Sequence, residues 1–249
     1  MRKTKIIATL GPATEDPKIL TKLLQRVDVV RINLAHGTWD PKDKASHQKK
    51  IRMVRKISKK IKKPIAILVD LKGNKIRIGN FKNDAIELKK NALITIRFTE
   101  EEISQSDKEI VVNADYVFDN IEAKDIILLD DGLIRLEVKK IQPKKKALIC
   151  IVNEGGLLLR GKGLEVKNKI INQSGLPEND KKDLKKLAKL DIDWVALSFV
   201  NQASDVNQAR EVLSGFNNHT KLIAKIERIV ALKQLYWIIK ASDGIMVAR

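Results

Sequence analysis

Short apolar runs alternate with amphipathic helical segments over the first seventy residues, and this rhythm constrains the fold more than any other feature. The runs KIIATL, VDVVRINL and PIAILVD are typical of buried strands, and the residues between them have helical spacing. Strands joined by crossover helices pair in parallel, because each helix returns the chain to the same edge of the sheet. The pattern therefore predicts an α/β domain with a parallel sheet.

Two Asp-Pro pairs mark the expected helix starts. Asp16 precedes Pro17 and Asp40 precedes Pro41, so that an N-cap acceptor stands beside the residue favoured at the first helical position. The second pair is expected to open a long basic helix. Its apolar stripe would consist of Ile51, Val54, Ile57 and Ile61.

The rhythm changes after Arg77. From about 75 to 170 the sequence contains short alternating strands, and Asp131-Gly132 between two of them is a strong hairpin signal. The α/β pattern returns at Pro177 and brings the number of parallel strands to about six. We therefore predict an α/β domain over residues 1–72 and 171–249, with an inserted antiparallel β domain over residues 73–170.

The composition restricts the partners. The net charge is +18, but 37 lysines and 12 arginines are spread along the chain and aromatic residues make up only 4%. Few bases could stack on so few rings, so we do not expect a nucleic-acid partner, although the charge would attract small phosphorylated anions. The chain lacks an apolar run of about 18 residues, and Cys150 is its single cysteine. We expect a cytoplasmic protein without a membrane partner.

Polar residues follow several of the predicted parallel strands at their carboxyl ends, where barrel enzymes build their sites. These residues are Arg31, Asn33, His36, Asp70, Lys72, Lys225 and Glu227. Neither a GxxxxGK[ST] loop nor a GxGxxG loop is present. Cations at strand ends can bind phosphate oxygens directly, and a carboxylate nearby can hold a divalent metal that bridges them. The pattern favours phosphoryl transfer.

The chain resembles the pyruvate kinase family along nearly its whole length. The matching stretches are TKIIATLGPATEDP, VVRINLAHGT, PIAILVDLKGNKIRIG, ILLDDGLIRLEV, NEGGLLLRGKG, VALSFV, LIAKIE and ASDGIMVAR. The resemblance implies an α/β fold: an incomplete TIM (β/α)8 barrel of about six strands, with an antiparallel β-barrel lid inserted after the third strand. It also implies phosphoryl transfer between phosphoenolpyruvate and ADP, giving pyruvate and ATP.

The resemblance also implies roles for individual residues. Arg31 would engage the transferring phosphoryl group, and Lys225 would stabilise charge on that group and on the developing enolate. His36 and Arg77 would contact the nucleotide. The cation ligands implied by the resemblance are Glu227 for Mg²⁺ (or Mn²⁺), and Asn33, Asp70 and Leu71 for a monovalent cation.

The monovalent-cation site departs from the family pattern. Ala35 replaces a hydroxyl ligand, and Leu71 stands where many members have threonine. The ammonium group of Lys75 could occupy the space of a bound K⁺, so we expect activity without K⁺. The alternative is that Lys75 does not replace K⁺ and only forms a salt bridge with Asp70 or faces solvent.

The sequence ends at Arg249, before the family's second metal carboxylate and the last two barrel strands. We therefore expect this chain alone to have little or no kinase activity. Three alternatives are open: one half of a split enzyme completed by a second polypeptide, an incomplete reading frame, and a non-catalytic remnant. Such a remnant would bind phosphometabolites or nucleic acid.

Overall fold

The computed structural model describes residues 3–73, 75–99, 101, 103–167, 169, 175–216 and 220–248. The chain divides into two compact units. The first consists of Met1–Asn74 and Ser174–Arg249, and the second of Lys75–Gln173. The second domain boundary expected from the sequence, at 170–171, lies outside the described residues.

The secondary structure follows the alternation seen in the sequence. The strands are β1 (Ile7–Thr9), β2 (Val29–Asn33), β3 (Ala66–Asp70), β4 (Ala85–Leu88), β5 (Leu93–Phe98), β6 (Glu109–Val112), β7 (Ile126–Leu129), β8 (Ile134–Gln142), β9 (Ala147–Glu154), β10 (Gly156–Leu159), β11 (Leu164–Val166), β12 (Trp194–Leu197), β13 (Lys221–Ile226) and β14 (Gly244–Val247). The helices are α1 (Pro17–Leu24), α2 (His47–Lys60), α3 (Glu178–Leu187), α4 (Ala203–Ser214), α5 (Ile229–Lys233) and α6 (Leu235–Ala241).

The sheet of the first unit is parallel throughout its described strands. Its order is β1-β2-β3-β12-β13-β14, so each strand lies beside its predecessor within the unit. Helices connect the successive strands. This is the arrangement of six consecutive strands of a TIM barrel and the helices between them, which confirms the predicted fold class.

The helix starts agree with the sequence at one Asp-Pro pair and differ at the other. Asp16 caps α1, because its Oδ1 accepts hydrogen bonds from the N–H groups of Lys18 and Ile19. The prediction at Asp40 was wrong: its side chain accepts from the N–H of Lys42 in a turn, and α2 begins at His47. A short aspartate side chain closes such turns as readily as it caps a helix.

The core of the first unit lies between the sheet and its helices. The predicted stripe of α2 packs there, with Ile51, Val54 and Ile57 buried and Ile61 partly buried. In the described part of the chain, no helix combines the length and apolar character needed to span a membrane.

The second unit is built from strands with a separate apolar core. One sheet has the order β11-β7-β8-β9-β5-β6, and β10 pairs with β4. The predicted hairpin joins β7 to β8, with Asp130, Asp131 and Gly132 at positive φ. The expectation of a purely antiparallel domain was wrong, since β5 and β6 pair in parallel and an isolated parallel bridge joins Asn80 to Ile103. Its closure as a barrel and its role as a lid stay predictions.

Candidate active site

Alternation along the strands places several polar residues of the first unit on one face of the sheet. Val30 and Ile32 of β2 and Leu222 and Ala224 of β13 are buried in the core. Successive side chains of a strand point to opposite faces, so the intervening residues face away from that core. They include Arg31, Asn33, Asp70 and Lys225. The sequence pattern that forms the core therefore also aims these groups at a common face.

Arg31 and Lys225 meet at the carboxylate of Asp70. The Nε and Nη2 atoms of Arg31 lie 2.8 and 2.5 Å from Asp70 Oδ2, and Arg31 Nη1 donates to Thr9 Oγ1 at 3.0 Å. Lys225 Nζ lies 3.1 Å from Oδ1 and 3.3 Å from Oδ2 of the same carboxylate. Asp70 is only 1% exposed, so both cations are ordered by a buried charge.

Glu227, the residue directly after β13, extends this cluster. Its Oε1 lies 3.3 Å from Lys225 Nζ, and its Oε2 accepts the backbone N–H of Phe199 at 2.8 Å. Arg31, Lys225, Asp70 and Glu227 together carry two positive and two negative charges. An anion that enters this cluster therefore brings negative charge that these four groups alone do not balance.

The monovalent-cation ligands implied by the sequence resemblance have protein partners. Asn33 Oδ1 accepts the N–H of Ala35 at 2.9 Å. The carbonyl of the buried Leu71 accepts the hydroxyl of Ser198 at 2.7 Å, and Asp70 is engaged as described above.

The nucleotide-contact candidates fall in different parts of the chain. His36 is exposed in the segment after β2 and belongs to the first unit. Arg77 is exposed in the second unit, where its Nη1 donates to the carbonyl of Gly161 at 2.9 Å. Lys75 also belongs to the second unit, and its Nζ lies 3.3 Å from Asp131 Oδ1.

The segment that carries His36 is anchored by a hydrogen bond and a ring contact of Trp39. Trp39 Nε1 donates to Asp183 Oδ1 at 2.7 Å, and the rings of Trp39 and His47 meet edge to face. Burial lowers the pKa of His47 to about 4, and the positive charges of Lys50 and Lys72 act in the same direction. The imidazole is therefore neutral at pH 7 and suits this enclosed position.

Asp180 is a second buried acid in the first unit. Its Oδ2 accepts the N–H of Gly73 at 3.0 Å, whereas its Oδ1 is buried without a hydrogen-bond partner among the described residues. Burial raises the pKa of Asp180 to about 6, with the negative charge of Asp183 adding to the effect. The bond from Gly73 and the charge of Lys72 act in the opposite direction.

Sequence reasoning missed Ser198 and Asp180. Ser198 follows β12 at the same edge as the other polar residues, so the strand-end pattern could have identified it. Its Oγ accepts Lys225 Nζ at 2.8 Å. Asp180 gave no such signal, because it lies on a helix 107 positions from the residue it contacts.

A parallel α/β sheet with arginine, lysine and two carboxylates gathered near the carboxyl ends of its strands is the arrangement in which barrel enzymes build their sites. The sequence model of the family described as pyruvate kinase, barrel domain, matches residues 1–249. The chain belongs to the pyruvate kinase family.

Curated relatives agree with this assignment. Pyruvate kinase of Staphylococcus saprophyticus is 37% identical over 251 residues, and that of Geobacillus stearothermophilus is 37% identical over 250 residues. Pyruvate kinase 2 of Synechocystis sp. is 35% identical over 251 residues. Each alignment covers 100% of this chain but only 41–42% of the relative. The chain thus spans about two fifths of the length of these relatives.

Proposed function

We propose that this chain carries the phosphoryl-transfer site of a cytoplasmic pyruvate kinase, which acts on phosphoenolpyruvate and ADP. The observation that carries the proposal is the convergence of Arg31 and Lys225 on the carboxylate of Asp70. In the reaction, the bond between phosphorus and the enol oxygen breaks, and a bond from phosphorus to a β-phosphate oxygen of ADP forms. The enolate left behind takes up a proton to become pyruvate.

Arg31 and Lys225 would supply positive charge where negative charge develops. Arg31 presents a planar guanidinium that can form two hydrogen bonds to phosphoryl oxygens. Lys225, with a side chain only 10% exposed, offers a compact charge in a site with little water. Such a charge stabilises the phosphoryl group and the enolate more strongly than it would in bulk water. Asp70 would keep both cations in place until the substrate competes for them.

The residues fit a magnesium ion that is held mainly by its substrates. Among the described residues, no group of three or more histidine, cysteine, aspartate or glutamate side chains could form a preformed metal centre. Mg²⁺ often takes only one or two carboxylates and fills its remaining positions with phosphate oxygens and water. Glu227 would provide the carboxylate, and Mn²⁺ could replace Mg²⁺. The bound metal would neutralise the negative charge that the cluster itself does not balance.

We propose that His36 and Arg77 contact the nucleotide. Both are exposed, and both can donate to phosphate oxygens. Replacing Arg77 by methionine should raise the KM for ADP more than that for phosphoenolpyruvate.

We further propose that the activity does not need K⁺. The carboxylate of Asp70 is already met by two cations, and the carbonyl of Leu71 is met by a hydroxyl group. Lys75 instead pairs with Asp131 of its own unit. The proposal of K⁺-independence is therefore supported by Arg31 and Lys225, and not by Lys75. Turnover should persist when K⁺ is replaced by a bulky organic cation. A strict K⁺ requirement would refute this proposal.

Full activity is expected to need more polypeptide than this sequence supplies. The relatives are more than twice as long, and the α5–β14 region leaves several large apolar side chains more than half exposed. These are Ile229, Leu232, Tyr236, Trp237, Ile239 and Val247. A second polypeptide, or further residues of the same one, would cover this surface. The test is a lactate-dehydrogenase-coupled assay of the chain alone and after co-expression with the downstream reading frame.

A non-catalytic role in binding phosphorylated anions is the second candidate. The outer face of α2 favours it, because Arg52, Lys56 and Lys59 line a basic groove together with Lys189. Binding of RNA that weakens steeply with salt, without turnover in the co-expressed complex, would favour this candidate. ADP-dependent turnover would exclude it as the main function.

A further inference from the structure

We propose that Ser198 and Phe199, which follow β12, are positioning residues for Lys225 and Glu227. The inference rests on the proposed function, since it assigns these two residues to the same site. Ser198 would fix the ammonium group of Lys225, and the backbone of Phe199 would fix the carboxylate of Glu227.

The hydroxyl group of Ser198 connects three parts of the site. It accepts Lys225 Nζ at 2.8 Å, the shortest of the lysine's contacts, and it lies 2.7 Å from the carbonyl of Leu71 and 3.3 Å from Asp70 Oδ1. A hydroxyl group has one hydrogen to donate, and the shorter distance directs it to Leu71. Its lone pairs then face Lys225. The carbonyl of Leu71 thus orients the hydroxyl group that orients the ammonium group.

Phe199 has an uncommon backbone conformation for an aromatic residue. Its φ of +57° lies in the left-handed region, which disfavours bulky side chains. In this conformation its N–H points at Glu227 Oε2, 2.8 Å away. Strained residues of this kind persist where the surroundings hold them, and they concentrate at functional sites. The strained backbone of Phe199 directs its N–H toward the carboxylate of Glu227.

Two neighbours hold Phe199 in this conformation. The guanidinium group of Arg228 lies 4.6 Å from the centre of the Phe199 ring. Gly73 also lies against Phe199 and leaves space that a side chain would fill, since a Cβ there would come within 2.7 Å of both Phe199 Cδ2 and Ser198 Cβ. Asp180 in turn binds the N–H of Gly73.

Separate anchors matter because Lys225, on β13, and Glu227, directly after it, are two positions apart in the sequence and 3.3 Å apart at their charged ends. Without other contacts, these long side chains could pair with each other in several rotamers and lose their orientation toward a ligand. Ser198 and Phe199 each hold one partner. The site is then preorganised before the substrate arrives.

The test compares Ser198→Ala with Ser214→Ala in the full chain by ¹⁵N NMR of the lysine ammonium groups. Ser214 is the matched control, since its hydroxyl group donates to the carbonyl oxygen of Glu211 in its own helix at 2.8 Å. Lys225→Arg assigns the signal. Ser198→Ala should speed hydrogen exchange of the Lys225 ammonium at least threefold and shift its signal, with the thermal midpoint close to that of the control. An unchanged Lys225 signal would overturn the role of Ser198.

Phe199→Gly tests the second anchor. Glycine keeps the N–H and accepts the same φ, but it removes the ring that holds the backbone in place. The amide of residue 199 should exchange at least tenfold faster than in the wild type. Should this variant not fold, Arg228→Lys removes the planar stacking partner and should give the same direction of change. Amide exchange equal to that of the wild type in the folded variant would overturn the role of Phe199.

Calorimetry with phosphoenolpyruvate and Mn²⁺ connects the anchors to binding. Ser198→Ala should weaken binding about tenfold relative to both the wild type and Ser214→Ala. Equal affinities of all three proteins would overturn the positioning role. A wild type that binds no phosphoenolpyruvate would count against the proposed function, while the exchange measurements would still decide the positioning role.

Discussion

Replacing Asp180 by asparagine should change how stability depends on pH. Burial raises the pKa of this carboxyl group from 3.8 to about 6 in the folded protein. At pH above about 6 the group is ionised in both the folded and the unfolded state, and its burial then costs about 3 kcal/mol relative to the neutral form. As the pH falls from 6 toward 4, the folded state takes up the proton first. The contribution of this group to stability therefore rises as the pH falls.

The expected magnitude follows from the two pKa values. Between about pH 7.5 and 4.5 the wild type should gain about 2 kcal/mol from Asp180, and Asp180→Asn should not. The difference in unfolding free energy between the two proteins should change by that amount. Asparagine keeps an oxygen that can accept the N–H of Gly73. Asp180→Ala removes the acceptor as well and should be the less stable variant at neutral pH.

Tryptophan fluorescence in urea is a suitable assay, because Trp39, Trp194 and Trp237 all belong to the first unit. Comparing variants at each pH cancels the titration of the other carboxyl groups. Parallel stability curves for the wild type and Asp180→Asn over this pH range would refute the reasoning. NMR titration of the Asp180 carboxyl carbon provides an independent check.

Three further predictions concern residues of the first unit and of the second unit. Gly73→Ala should lower the unfolding free energy by at least about 2 kcal/mol in urea denaturation, because φ is +67° and a Cβ would meet Ser198 and Phe199. Asp70→Asn should destabilise the protein by about 3 kcal/mol in the same assay, since it leaves two ordered cations without their shared carboxylate. Burial raises the pKa of the Cys150 thiol to about 12, so native protein at pH 8 should not react with a disulfide reagent. Rapid labelling without unfolding would contradict this last prediction.

The parallel sheet was predictable from the sequence because the apolar runs of the strands and the apolar stripes of the helices pack into the same core. The start of α2 was not, since Asp40 and Asp43 use their side chains to close turns before the helix. The apolar segment 229–241 forms two helices, α5 and α6, which meet at Gln234, and the N–H of Gln234 donates to the carbonyl of Ala231 in a turn. The short strands β10 and β11 pair with β4 and β7, which are distant in sequence, so that no local hairpin signal marks them.

Only those site residues that lie at the carboxyl ends of the strands could be predicted from the sequence. Arg31, Asp70, Lys225 and Glu227 come together because parallel strands present their carboxyl ends at one edge, and the roles proposed for them rest on that edge and on the family resemblance. The conformation of Phe199 depends on packing against Gly73, which the sequence does not indicate.

The most direct test of the account is the affinity of this chain for phosphoenolpyruvate, measured by calorimetry with Mg²⁺ for the wild type and for Lys225→Met. If Arg31 and Lys225 receive the phosphoryl group, the wild type should bind and the variant should bind at least tenfold more weakly. Equal affinities of the two proteins would contradict the account, since the ligand would then bind elsewhere.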